Sequence, residues 1–272
     1  MTYFSHSPNT LIKVPSWLWP MAANNSPNLD TPMRVAHGLV IVVHGFNKKA
    51  RDMQDLADAL EVSGWSCLRV NLPTLFGDEE RCVEQLHHQV CAHLRHMDAK
   101  LRCSTPVHFV AHSLGGLIVR RFIAQHWHPQ SQTLALQLRT DRPAQQIKVG
   151  HCVFIATPHK GSRLADIAVK LPGYRRTFKP IDALLPSAGY QRLPQPRDFK
   201  LGLIAGAQSA GLLGRLLQKP NDGHVEVASA QSPDADDMQI LPYHHKNIHH
   251  QPRTLSLTHE FLVAGTWQQD QS

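Results

Sequence analysis

The stretch FVAHSLGG, residues 109 to 116, sets one hydroxyl, Ser113, between a strand-like apolar run and two glycines. A serine held where a strand becomes a helix can serve as a nucleophile, provided that the backbone makes a sharp, strained turn and the helix folds back close to the strand. Side chains two residues to either side would collide in such a turn, and those positions hold Ala111 and Gly115. A neutral hydroxyl also needs an imidazole to take its proton and a carboxylate to hold that imidazole in the right tautomer. The chain supplies both downstream, in the order serine, acid, histidine that a sheet of this kind requires. Asp222 lies in PNDG (220–223), where Gly223 would aim it, and LPYHHKNIHH (241–250) carries four histidines. Asp234, Asp236 and Asp237 read as residues of a solvated loop and rank below Asp222. His245 is chosen as the base because it follows the strand-like MQILPY; His244 and His249 stay open.

Attack on a carbonyl creates an oxyanion, which backbone N–H groups stabilise. One donor would be the amide of Leu114, at the start of the helix after the serine. The other would be the amide of Phe46, which Gly45 turns inward at the end of VVHGF (42–46). His245 and His249 stand four residues apart, as zinc ligands on a helix do, but Lys246 occupies the place of the glutamate in HExxH. Neither a metal nor an organic cofactor is expected.

These residues need a frame, and the hydropathy pattern describes one. GLVIVVHG (38–45) is a short, continuous apolar run of the kind that forms a strand buried on both faces. Met53, Leu56, Ala57 and Leu60 follow at helical spacing, and Gly64 is placed to end that helix. SCLRVNLP (66–73) and VHFVAHS (107–113) read as strands, with amphipathic helices over 78–97 and from 114 onward. HCVFIAT (151–157), KLGLIAG (200–206) and MQILPY (238–243) follow, and a last helix is expected near 256–268. Strands alternating with helices predict an α/β architecture, a mostly parallel, doubly wound sheet with right-handed crossovers and helices on both faces. The division expected is an irregular arm over 1–36 and one domain over 37–272. Residues 162–199 form a cap or lid insertion, with a basic knot at Lys170, Arg175, Arg176 and Lys179.

Composition narrows the function classes. The 272 residues carry a net charge of +7, but Lys and Arg are scattered with no basic stripe interleaved with aromatics, which argues against a nucleic-acid partner. No apolar run is long enough to span a bilayer. The first 25 residues lack a basic region followed by an apolar one, so a cytoplasmic location is expected. Peripheral membrane contact through Trp17, Leu18 and Trp19 stays open. Five cysteines without CxxC spacing read as reduced core thiols.

Five segments in the same order, VVHGF, FVAHSLGG, IATPHKGSRLAD, LIAG with PNDG, and ILPYHH, resemble lipase-like serine esterases of the α/β-hydrolase superfamily. The resemblance runs from about Gly38 to about His250. It implies Ser113, Asp222 and His245 as a catalytic triad, and Phe46 and Leu114 as oxyanion donors. Thr157, Pro158, His159 and Gly161 would border the substrate pocket, and His44 and His112 join Thr157 and His159 as substrate-binding candidates. Ala111 departs from the family's usual GxSxG by one methyl group. The expected function is a carboxylic-ester hydrolase that forms an acyl-enzyme from a small-molecule substrate with a short or medium acyl chain. An acyl-thioesterase or lysophospholipase on the same triad is the runner-up, and a non-catalytic binding module on the same fold is the alternative from another class.

Overall fold

The computed structural model describes residues 37–173, 179–185, 192–209 and 211–267. These belong to the unit that begins at Val35. The arm over 1–36, including Trp17, Leu18 and Trp19, and the basic residues Arg175 and Arg176 lie outside the described residues.

Six strands form the parallel body: β1 (Leu39–Val43), β2 (Ser66–Val70), β3 (Val107–His112), β6 (Gln145–Ile155), β7 (Leu201–Gly206) and β8 (Asp237–Leu241). Their spatial order is β2-β1-β3-β6-β7-β8, every pair parallel. The chain leaves β1 for one edge to make β2 and then returns to the other side of β1 to make β3. That reversal opens a crevice above the carboxyl ends of β1 and β3, the place where open α/β sheets bind ligands. β1 is LVIVV, buried at every position because both faces of the sheet are covered.

The helices are α1 (Gln54–Val62), α2 (Glu79–His96), α3 (Ala99–Ser104), α4 (Leu114–His126), α5 (Arg163–Ala168), α6 (Gly211–Gly214), α7 (Val227–Ala230) and α8 (Pro252–Ala264). On one face of the sheet Leu39, Ile41 and Val43 join Val83, Leu86 and Val90 of α2 and Ile118, Phe122 and Ile123 of α4 in a single core. α1 and α8 pack against each other, and α8 reaches the sheet where Phe261 and Trp267 close over Gly202. α2 starts as its sequence requires: the Asp78 carboxylate accepts from Arg81 N–H at 2.9 Å, acidic residues fill the first turn, and His93, Arg95 and His96 end it. Gly64 takes φ +90° just past α1, as its placement anticipated.

Two elements and one side chain differ notably from the sequence reading. β6 begins at Gln145, six residues before the expected strand. Its first part pairs antiparallel with β5 (Thr133–Leu136), which pairs in turn with the two-residue β4 (Trp127–His128). The last helix runs Pro252–Ala264 rather than 256–268, because Pro252 opens it and Gly265, at φ +72°, stops it. Asp234 is not solvated: its side chain is buried and receives two hydrogen bonds from the fully buried Arg120 guanidinium, at 2.8 and 3.1 Å. Cys67, Cys82, Cys91 and Cys152 are free, and burial pushes the Cys67, Cys82 and Cys152 thiols up to about 12. Among the described residues no helix is long and apolar enough to cross a membrane.

Candidate active site

Ser113 sits between the last residue of β3 and the first of α4, with φ +54° and ψ −126°. A side chain rarely adopts that backbone, so the surroundings must hold it there. They do so from three directions. Ser113 N–H donates to Ile155 O at 2.8 Å, which extends the β3–β6 ladder by one step. The Thr157 hydroxyl donates to Ser113 O at 2.9 Å. On the β1 side the main chain is so close that a Cβ on Gly115 would lie 2.6 Å from His44 O, and one on Gly45 would lie 2.9 Å from Ser113 Cβ. The smallness of Gly115 noted in the sequence is thus demanded by the β1 backbone passing over it.

Asp222 and His245 arrive from the loops after β7 and β8. Asp222 folds into a turn of its own: its Oδ1 accepts from the amides of His224 (2.9 Å) and Val225 (2.7 Å), and its N–H donates to Val225 O at 3.0 Å. That leaves Oδ2 directed at His245, whose Nδ1–H donates to it at 2.8 Å. With the proton fixed on Nδ1 by the carboxylate, Nε2 is the acceptor, and the Ser113 hydroxyl donates to it at 3.0 Å. A second tie, His245 N–H to Asp222 O at 3.0 Å, locks the two loops together. All three side chains are buried.

The other histidines of the segment are engaged elsewhere. His244 Nδ1–H donates to Gln208 O at 2.6 Å, and His250 Nδ1 meets Asp55 Oδ2 at 2.8 Å. His249 is fully buried, its ring 4.2 Å from that of His112, and burial holds it down to about 3. Among the described residues, His245 alone of the four is hydrogen-bonded to Ser113. No group of three or more His, Cys, Asp or Glu among them could hold a metal ion.

The Ser113 hydroxyl opens onto a cavity of about 640 Å³. Phe46 and His112 line it, together with Leu164, Ala165, Ile167, Ala168, Leu171 and Leu184 from the insertion after β6. Leu114 begins α4, so its N–H has no acceptor within the helix and stands at the positive end of the helix dipole.

A protein-family model described as "Putative serine esterase (DUF676)" matches residues 34–183, more than half of the chain. The chain belongs to this family. The DUF676 match contains Ser113 and ends before Asp222 and His245. The fold is similar to that of the mature Bacillus licheniformis lipase BlEst2, with a TM-score of 0.64 at 19% identity over 85% of this chain and 96% of that one. It is also similar to Staphylococcus hyicus lipase (TM-score 0.57, 13% identity, 86% and 94% covered) and to the metagenomic carboxyl esterase MGS0156 (0.58, 16%, 83% and 70%). At these identities the likeness establishes the α/β-hydrolase fold. No curated protein sequence matches the chain.

Three of the substrate-binding candidates do not reach the cavity of this member of the DUF676 family. His44 is fully buried; its Nδ1–H donates to Gly45 O and its Nε2 accepts from Leu72 N–H, both at 2.9 Å, so it ties the β1 turn to the one after β2. Thr157 spends its hydroxyl on the Ser113 carbonyl, and His159 lies behind the wall, where its Nδ1 accepts from Arg120 Nε at 3.1 Å. Sequence position put these residues beside the motifs without showing which way their side chains turn. His112 does line the cavity, but its Nε2–H donates to His245 O at 3.0 Å, so it braces the imidazole's own backbone. His224 was not anticipated. Its ring stacks on that of His245 at 5.0 Å and 19°, and burial beside that imidazole holds it down to about 4, so it stays neutral at pH 7. Its place two residues after Asp222 was the available signal.

Proposed function

We propose that the chain is a serine hydrolase of carboxylic esters, working through an acyl-enzyme. What carries this reading is the unbroken run of hydrogen bonds from the Asp222 carboxylate through His245 to the Ser113 hydroxyl. In the first half-reaction Ser113 Oγ bonds to the ester carbon as its proton passes to His245 Nε2. The bond to the alcohol oxygen then breaks, and the imidazolium returns the proton to that oxygen. Asp222 holds the imidazole in its Nδ1–H tautomer and stabilises the imidazolium, and His112 steadies its main chain. Water repeats the sequence on the acyl-enzyme to release the acid. The amides of Phe46 and Leu114 serve as the oxyanion donors, and residues 162–199 act as the cap of a single hydrolase domain over 37–272. The apolar side chains of that cap suit a short or medium acyl chain.

A fluorophosphonate probe tests the reading directly. Wild type should be labelled and Ser113→Ala should not; equal labelling of both, or of neither, would overturn it. A series of p-nitrophenyl esters of rising chain length, with an acyl-thioester and a lysophospholipid beside it, then sets the substrate range.

A further inference from the structure

The insertion after β6 gives the cavity apolar side chains, and the loops beside the reacting groups give it cations. Lys48, two residues past Phe46, and Lys246, the residue after His245, both line the cavity. Among the described residues no aspartate or glutamate lines it with them. The Asp222 charge is taken up by two amides and the His245 ring. Lys48 approaches Asp52 only to 3.8 Å, and that carboxylate is also held by the Lys49 amide at 2.7 Å. Lys246 is exposed, and among the described residues no carboxylate pairs with it. Both charges reach inward: Lys48 helps to depress His112 and His249, and Lys246 helps to depress His224. Apolar walls concentrate such a field in the cleft.

We infer that the site selects esters whose acyl chain is apolar and whose alcohol carries an anionic group, a carboxylate or a phosphate, facing Lys48 and Lys246. The inference rests on the ester-hydrolase reading above. It assigns the two sides of the substrate by chemistry: His245 hands its proton to the departing oxygen, so the alcohol leaves past Lys246, and the acyl chain takes the apolar cap.

The experiment compares kcat/KM for hexanoyl esters of three phenols: 4-hydroxybenzoate, 4-hydroxyphenyl phosphate and neutral 4-hydroxybenzamide. The quantity read is the change in the anionic-to-neutral ratio between wild type and variant, so the intrinsic reactivity of each ester cancels. The double variant Lys48→Gln with Lys246→Gln should lower that ratio about tenfold, as expected for the loss of two partly exposed charges. Lys246→Glu alone should lower it too. The wild-type ratio should also shrink in 0.5 M salt, where exposed charges are screened within about 4–5 Å. Lys100→Gln, on α3, should leave the ratio where it was. A fall confined to the phosphate ester or to the carboxylate ester supports the inference and names which anion is read. A ratio in both Lys246 variants within about twofold of wild type, or an equal fall in Lys100→Gln, overturns it and leaves the esterase reading intact. Failure of wild type to hydrolyse any of the three esters, with no labelling of Ser113, overturns both.

Discussion

The molecule carries two clusters of histidine rings, one at each end of its sheet. At the amino end His37, His108 and His259 gather around Trp65, with the His108 and Trp65 ring centroids 4.9 Å apart, and His151 packs against His108. At the carboxyl end His112, His224, His245 and His249 gather beside Ser113. The clusters are alike in burial of their central rings, His108 and His245; they differ in what the nitrogens touch. The amino-end rings accept from the fixed framework: His108 Nδ1 from His151 N–H, His151 Nδ1 from Lys200 N–H, His259 Nδ1 from the Trp65 indole, at 2.9 to 3.1 Å. His245 instead lies between a carboxylate that holds its Nδ1–H and a hydroxyl whose proton its Nε2 can accept. None of the amino-end rings lines the cavity. Histidine abundance marks neither cluster as a site; the chemistry of the partners does.

The largest expected contrast is between His245→Ala and His108→Ala. The first should cut kcat by about 10⁴-fold or more while the protein stays folded. The second should cost about 3 kcal/mol in urea unfolding, as for other large-to-small changes in a core, with kcat of the folded fraction unaltered. A loss of kcat in His108→Ala matching that of His245→Ala would erase the distinction.

Acid should act on both ends at once. His108 and His249 are held down to about 3 by burial, against 6.5 for the free group. In that interval the unfolded chain binds the protons more readily, so the stabilising contribution is whole above about pH 6.5 and is lost as pH falls toward 3. Each ring should account for roughly 2–3 kcal/mol between pH 7 and pH 4.5. Urea titrations at the two pH values should show His249→Phe losing that much less than wild type, and equal losses would refute the assignment.

His112→Phe keeps a ring of similar size and removes the bond to the His245 carbonyl. We expect kcat to fall about tenfold with KM nearly unchanged, because the bond supports the imidazole and not the bound substrate. A change below twofold would reduce His112 to packing. The smallest effect belongs to the amino end: His259→Phe deprives the Trp65 indole of its acceptor and should cost about 1 kcal/mol, a fall in Tm of about 2–4 °C by calorimetry, without touching turnover.

The parallel body could be read from the sequence because strands covered on both faces need continuous apolar runs, and β1, β3 and β7 are buried at every position. The hairpin of β4 and β5 with the start of β6 was harder. Its strands are short, and only Leu134 and Ile147, with Leu136 at the end of β5, are buried where β5 pairs with β6. That period-two signal was present but brief. At the site, chain order and turn residues pointed to Ser113 and Asp222 and favoured His245 over His244 and His249, and the structure has Ser113, Asp222 and His245 in one hydrogen-bonded run. The buried Arg120–Asp234 pair joins residues 114 positions apart, and nothing local announces it. Lys48 and His224 stayed hidden for the same reason, since what each faces is decided by loops distant in sequence.

The backbone of Ser113 has a consequence for the chain's history under mutation. Glycine adopts φ +54° freely and serine does not, so the exchange Ser113→Gly would relax the elbow even as it removed the hydroxyl. Silencing the hydroxyl is therefore the thermodynamically easy direction. Any screen for heat resistance alone would tend to discard the Ser113 hydroxyl, and a stabilisation campaign on this scaffold has to score turnover in every round.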